Sequence, residues 1–182
     1  GGPAHDQRHR RRHAQHGLTP APPPPSFRGL PLLPFRSQPP PPVLSAGYTL
    51  LVDSYPSAEA LNRLLVAGGE GPRDAGRWQR VLERSLWHLA VLNPAGALVG
   101  FVRATSDLAL NANLWDLCCD PSDQGSQEAL AVLVYTGLGR LRRELSGCSI
   151  SLSAPPEALR ALERYGFVVD PGGIRAMGLK LR

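Results

Sequence analysis

The chain has 182 residues, 42% of them apolar and 19% charged, and a formal net charge of +5. Residues 1–45 carry six Arg and one acid, Asp6, whereas residues 46–182 balance 14 basic side chains against 14 acidic ones. The basic character therefore belongs to an N-terminal tail, which argues against a nucleic-acid-binding face on the rest, and no apolar run approaches the roughly 20 residues of a membrane-spanning helix. Cys118, Cys119 and Cys148 are odd in number and form no CxxC pair, so neither a disulfide framework nor a zinc site is indicated.

The tail, residues 1–45, opens with Arg8-His-Arg-Arg-Arg-His13 and holds 12 of the 19 prolines, including Pro22–Pro25 and Pro39–Pro42. Proline fixes φ and removes a donor, so these runs favour extended polyproline II over helix or sheet. Few apolar side chains offset the entropy of ordering, and disorder is the expectation. The tail reads as a solvated linker, as the remainder of an organelle transit peptide, or as an arm that neutralises nucleic-acid phosphates. The chain does not begin with Met, so any targeting signal is only partly visible. His5, His9, His13 and His16 recur at helical spacing, but the arginines between them repel a cation, and no metal site is expected.

From Tyr48 onward the elements follow one another closely. Tyr48–Val52 predicts a first strand. Ser57 is the expected N-cap of a helix bearing Leu61, Leu64 and Leu65, which Gly68 and Gly69 end. A second helix begins near Asp74 and buries Trp78, Val81 and Leu82, with Arg73, Arg77, Arg80 and Arg84 on its other side. Trp87–Leu92 and Leu98–Ala104 flank the turn Asn93-Pro-Ala-Gly96 and predict a hairpin. Asn111–Cys119 predict a further strand, which Asp120-Pro121 stops. A long helix is expected from about Ser126 to Leu145, with Leu130, Leu133, Val134, Leu138 and Leu141 in one stripe. Ser149–Ser153 predict a strand, and Pro155 or Pro156 opens a helix that ends at Gly166. Phe167–Val169 and Ile174–Leu181 are expected to be strand-like. The order implies one mixed α/β domain, residues 46–182.

The passage Leu117-Cys-Cys-Asp-Pro-Ser-Asp-Gln-Gly-Ser-Gln-Glu-Ala-Leu130 joins a strand to a helix through a polar, Gly-containing turn. The first amides of a helix lack internal partners and, with the helix dipole, suit a pyrophosphate. Cys118 and Cys119 are expected on opposite strand faces, and no histidine follows them to make a thiolate. Asp116 offers a carboxylate that either accepts a proton from an amine or pairs with Arg103. His88 reads as a packed residue rather than a catalyst, and Trp78 and Trp87 as core or acceptor-site walls.

The order of elements and this junction resemble the GNAT superfamily of N-acetyltransferases. Gln124, Gln127 and Ala129 match its cofactor loop, Leu117, Cys119 and Pro121 its strand pattern, and Gly166-Phe167 its Gly-Phe pair. A closer likeness is to the plastid GNAT proteins of plants and algae, of the serotonin N-acetyltransferase and nuclear-shuttle-interacting type. It rests on Val99–Asp107, Asn111, Trp115-Asp116, Asp120-Pro121, Ile150–Leu152 and Asp170-Pro-x-Gly-Ile174.

The resemblance implies a mostly antiparallel central sheet with helices on both faces. It also implies an acetyl-CoA-dependent acetyltransferase acting on a primary amine, with a chloroplast address (mitochondrion or nucleus as alternatives). Acetyl-CoA would lie along Leu117, Cys118 and Cys119 and at Gln124, Gly125, Ser126, Gln127, Glu128, Ala129 and Leu130. Asp116 and Tyr165 are the candidate catalytic residues. Two positions depart from the pattern. Gln127 stands where the family has a glycine, with Gly125 two residues earlier as partial compensation. Leu162 stands where the family commonly has a proton-donating Tyr, and Tyr165 lies one turn displaced. The alternative is therefore a catalytically impaired module of a larger assembly, held to a partner or RNA through the tail.

Overall fold

The computed structural model describes residues 40–173, and within them the helices begin where the sequence supplies caps. Helix α1 (Ala58–Ala67) starts at Ser57, whose hydroxyl accepts the Ala60 N–H at 3.1 Å. Leu61, Leu64 and Leu65 recur at helical spacing and are buried. Helix α2 (Ala75–Arg84) starts at Asp74, whose carboxylate accepts the Arg77 N–H at 3.0 Å. It buries Trp78 and Leu82 and leaves Arg77, Arg80 and Arg84 exposed.

Among the described residues, five strands form one sheet in sequential order: β1 (Thr49–Val52), β2 (Trp87–Leu92), β3 (Leu98–Ser106), β4 (Asn111–Cys119) and β5 (Ser149–Leu152). The first four pair antiparallel, and β5 runs parallel to β4 because helix α3 (Ser126–Glu144) carries the chain back between them. The β2–β3 turn is held by Asn93, whose Oδ1 accepts the N–H groups of Ala95 and Ala97. Asp107 closes the β3–β4 turn in the same way, accepting the amides of Ala109, Leu110 and Asn111.

Strand alternation divides the core in two. Trp87, Leu89 and Val91 face α3, with Leu133, Leu138 and Leu141 against them. Ala90 and Phe101 face the opposite way, toward α1 and α2. A 3₁₀ turn at Pro156–Ala158 leads into the short helix α4 (Leu159–Arg164), which joins the α3 side through the buried Leu162. Helices thus cover both faces of a mixed, mostly antiparallel sheet, as expected. Gly100 lets α3 approach closely: a Cβ there would lie 3.0 Å from Leu133 Cδ1 and 3.2 Å from Cys119 Sγ.

One predicted element is corrected. Phe167–Val169 do not form a strand. Gly166, at φ +95°, turns the chain out of α4, and Val168 and Val169 are left 68% and 59% exposed. The alternation of apolar residues there has no neighbouring strand among the described residues to pair with. The expected strand at Ile174–Leu181, and residues 1–39 of the tail, lie outside the described residues.

Candidate functional site

Strand β4 changes its pairing midway. Its bonds to β5 run from Asn111↔Ser149 to Leu114↔Leu152 and then stop. On the other edge, Phe101 pairs with Cys118 and Arg103 with Trp115, so Asp116 and Leu117 together oppose Val102. This is a β-bulge, and Asp116 takes φ +55° within it. From Trp115 to Cys119 the edge of β4 facing β5 has no strand partner among the described residues. Its backbone donors and acceptors are thereby left for something other than the sheet.

The open edge leads directly to the start of α3. There the Ser126 N–H donates to the Asp123 carbonyl at 3.1 Å, and the Gly125 N–H to Asp123 Oδ1 at 2.9 Å. No side chain caps the helix, and among the described residues the N–H groups of Gln127 and Glu128 have no acceptor. Gln124 and Gln127 add exposed carboxamides beside them. The helix dipole adds a partial positive charge to this end of α3, carried by those free amides. The end contains no Lys or Arg: between Leu117 and Gly139 the charged residues are Asp120, Asp123 and Glu128. The expected binding residues Leu117, Cys118 and Cys119 lie on the open stretch of β4, and Gln124 to Leu130 line the turn and first helical residues.

Gly125 also has a packing role. A Cβ at Gly125 would lie 2.5–2.8 Å from the ring and hydroxyl of Tyr48, which packs over the loop. The Tyr48 hydroxyl donates to Asp123 Oδ1 at 2.6 Å, a bond that pushes its own pKa up. Asn93 Nδ2 donates to Asp123 Oδ2 at 3.1 Å. Neither Tyr48 nor Asn93 was legible as a loop residue, because 75 and 30 positions separate them from Asp123.

Cys118 and Cys119 do point to opposite faces, one into each half of the core. Burial pushes both thiols up, Cys119 to about 12. A neutral buried thiol is not a nucleophile. A limiting dose of a thiol-alkylating reagent on the native protein should label Cys148, which is half-buried, well before Cys118 or Cys119. Peptide mapping that finds Cys118 modified first would contradict this placement.

On the α1–α2 side of β4, the Asp116 side chain is 6% exposed and both its oxygens are engaged. Arg103 Nε lies 2.5 Å from Oδ2 and Arg73 Nη1 lies 2.7 Å from Oδ1. Arg73 belongs to the α1–α2 loop, and that loop is fixed again by Asn62, which bonds both the N–H and C=O of Arg73 and accepts from Trp78 Nε1. The Arg73 guanidinium also lies 5.0 Å from the Trp78 ring. A single carboxylate on β4 thus ties down a loop 43 residues away.

The remaining candidates are placed as follows. Leu162 is 2% exposed within the core. Tyr165 caps the end of α4, its ring 6.0 Å from that of Tyr135 on α3. Tyr135 is about 13 Å along α3 from Ser126, and Trp115 is about 13 Å back along β4 from Cys119. Tyr135 stands midway along α3, so the tyrosine pair lies away from the helix start. His88 is buried between Tyr55 and Phe101, and burial lowers its pKa, so it is a neutral packing residue. Trp78 and Trp87 are core. A cavity of about 550 Å³ between β5 and α4, lined by Leu152, Leu159, Leu162 and Phe167 among others, contains none of the expected cofactor residues.

No protein-family model matches the chain. Curated proteins do. The uncharacterized N-acetyltransferase ycf52 of Porphyra purpurea is 38% identical over 80 residues, 44% of this chain and 45% of that protein. Serotonin N-acetyltransferase 2, chloroplastic, of rice (Oryza sativa subsp. japonica) is 35% identical over 124 residues, 65% of this chain and 60% of that protein. The chain spans about half the length of the curated relatives it matches. Among solved structures, a probable acetyltransferase of Staphylococcus aureus superposes with a TM-score of 0.66 at 18% identity, covering 74% of this chain and 99% of that one. The Escherichia coli GNAT protein YhbS, solved in complex with CoA, superposes at 0.53 and 21% identity over 72% of this chain and 73% of that one. The chain therefore has the GNAT fold, and its likeness to plant and algal plastid N-acetyltransferases holds in sequence as well.

Proposed function

We propose that this chain is an acetyl-CoA-dependent N-acetyltransferase that acts on a primary amine by direct attack, in a plastid. The observation that carries the reading is the uncapped start of α3, with two unpartnered N–H groups, at the end of an open β4 edge. Those residues fit acetyl-CoA, a ligand with a diphosphate at one end of a long polar arm. When bound, acetyl-CoA supplies the acetyl thioester. The N–H groups of Gln127 and Glu128 and the carboxamides of Gln124 and Gln127 hold the diphosphate, and the backbone from Leu117 to Cys119 holds the arm.

The chain's own groups then have three tasks. The β4 edge positions the reacting carbonyl and supplies N–H donors to the oxygen that gains charge. Tyr165 is the proton donor to the departing thiolate, since Leu162 has no proton to give. Asp116 is assigned a positioning role on the acceptor side, because both its oxygens are already engaged by Arg73 and Arg103. The incoming amine loses its proton to solvent. The acceptor is a protein lysine, a protein N-terminus or an arylalkylamine, and the arginine-rich tail is an organelle address.

A second reading has its own observation: the buried Leu162 leaves the family's usual donor position without a hydroxyl. On that reading the domain is an impaired acetyltransferase used as a module of a larger assembly, with the tail as tether. Incubation of the full chain with acetyl-CoA and a mixed pool of peptides and small amines, read by mass spectrometry, separates the two. Acetylated products that require the protein support the enzyme. Cofactor binding without any product supports the module.

A further inference from the structure

We propose that Tyr48 is a positioning residue for the cofactor loop, clamping Asp123 and Gly125 so that the Gln127 and Glu128 amides keep their outward aim. The inference rests on the proposed reading of the α3 start as the diphosphate site. Three separate pieces of chain meet at one carboxylate: Tyr48 from the segment before β1, Asn93 from the β2–β3 turn, and the loop's own Gly125 N–H. The Tyr48 ring also occupies the space that any side chain at position 125 would need. The clamp thus has a polar part, the hydroxyl, and a steric part, the ring over Gly125.

The segment bearing Tyr48 is itself fixed. The Tyr48 N–H donates to the Ser45 carbonyl at 3.1 Å, and Leu44 packs on the α3-side core. Gly47 takes φ +81°, and a Cβ there would lie 3.0 Å from Pro94 Cγ in the β2–β3 turn. The clamp also answers an electrostatic problem: the loop holds Asp120 and Asp123, Glu128 follows in the first turn of α3, and no Lys or Arg lies between Leu117 and Gly139. Asp123 has both oxygens turned onto neutral donors of the protein, so its charge is directed into the clamp and away from an arriving phosphate.

The test uses the full chain, with acetyl-CoA as the titrant in calorimetry and as the varied substrate in turnover. Tyr48→Phe keeps the ring and removes the hydrogen bond, and Asn93→Ala removes the second donor to Asp123. Each should raise Kd about three- to tenfold, and Tyr48→Phe should raise KM equally without changing kcat. Asp74→Ala, which removes the α2 N-cap and lowers stability at a site remote from the loop, serves as control and should leave Kd unchanged. Unchanged Kd in Tyr48→Phe would overturn the proposal, as would an equal loss in Asp74→Ala. Failure of the unsubstituted chain to bind acetyl-CoA would instead reject the reading of the site on which the clamp depends.

Discussion

Tyr165→Phe should lower kcat about a hundredfold while leaving acetyl-CoA affinity within about twofold. The expectation follows from placement. Tyr165 ends α4, and its ring packs 6.0 Å from Tyr135, midway along α3 rather than at the helix start. Its ring is half-buried against the core, so Phe preserves the packing and removes only the hydroxyl. A stopped or steady-state assay of CoA release, paired with calorimetry, separates the two effects. A tenfold loss of affinity with unchanged kcat would place Tyr165 in cofactor binding instead. Unchanged kcat and Kd would leave the thiolate to be protonated by solvent.

Asp116→Ala should destabilise the fold by about 2–4 kcal/mol, lowering Tm by roughly 5–15 °C. The carboxylate is almost wholly buried between two guanidiniums, and its removal leaves Arg103, 14% exposed, without its anion. Arg73 is more exposed and contributes less, because solvent screens it. The loss should also release the α1–α2 loop from β4, so the acceptor KM should rise more than the acetyl-CoA KM. Asp116→Asn, which keeps one acceptor oxygen, should recover part of the stability. Full activity in a stable Asp116→Ala protein would show that the loop is seated without this carboxylate.

Much of this architecture is legible in the residues. Caps are local: Ser57 and Asp74 mark helix starts because their oxygens bond amides three residues on. The Asn93–Gly96 turn and the apolar stripe of α3 are likewise short-range patterns. The open edge of β4 is less legible, since it depends on where β5 stops pairing and on a bulge at Asp116 that no residue type announces. The clamp on Asp123 and the double ion pair on Asp116 are long-range meetings, and spacing along the chain carries no signal for them. Gly125 shows the limit well. Its smallness reads as room for phosphate, and the fold also uses it as room for Tyr48. Phe167–Val169 shows the converse, a β-like composition that forms no strand where no partner strand lies alongside among the described residues.

The most direct measurement is a calorimetric titration of acetyl-CoA into the full chain and into its Gln127→Glu variant. The site is built from amide dipoles with three carboxylates already nearby, so one more negative charge at the helix start should be costly. One-to-one binding to the unsubstituted chain is expected, with affinity about ten- to a hundredfold weaker in the variant and a difference that shrinks as salt is raised. No binding at millimolar acetyl-CoA, or equal affinity in the two proteins, would contradict the assignment of the α3 start as the cofactor site.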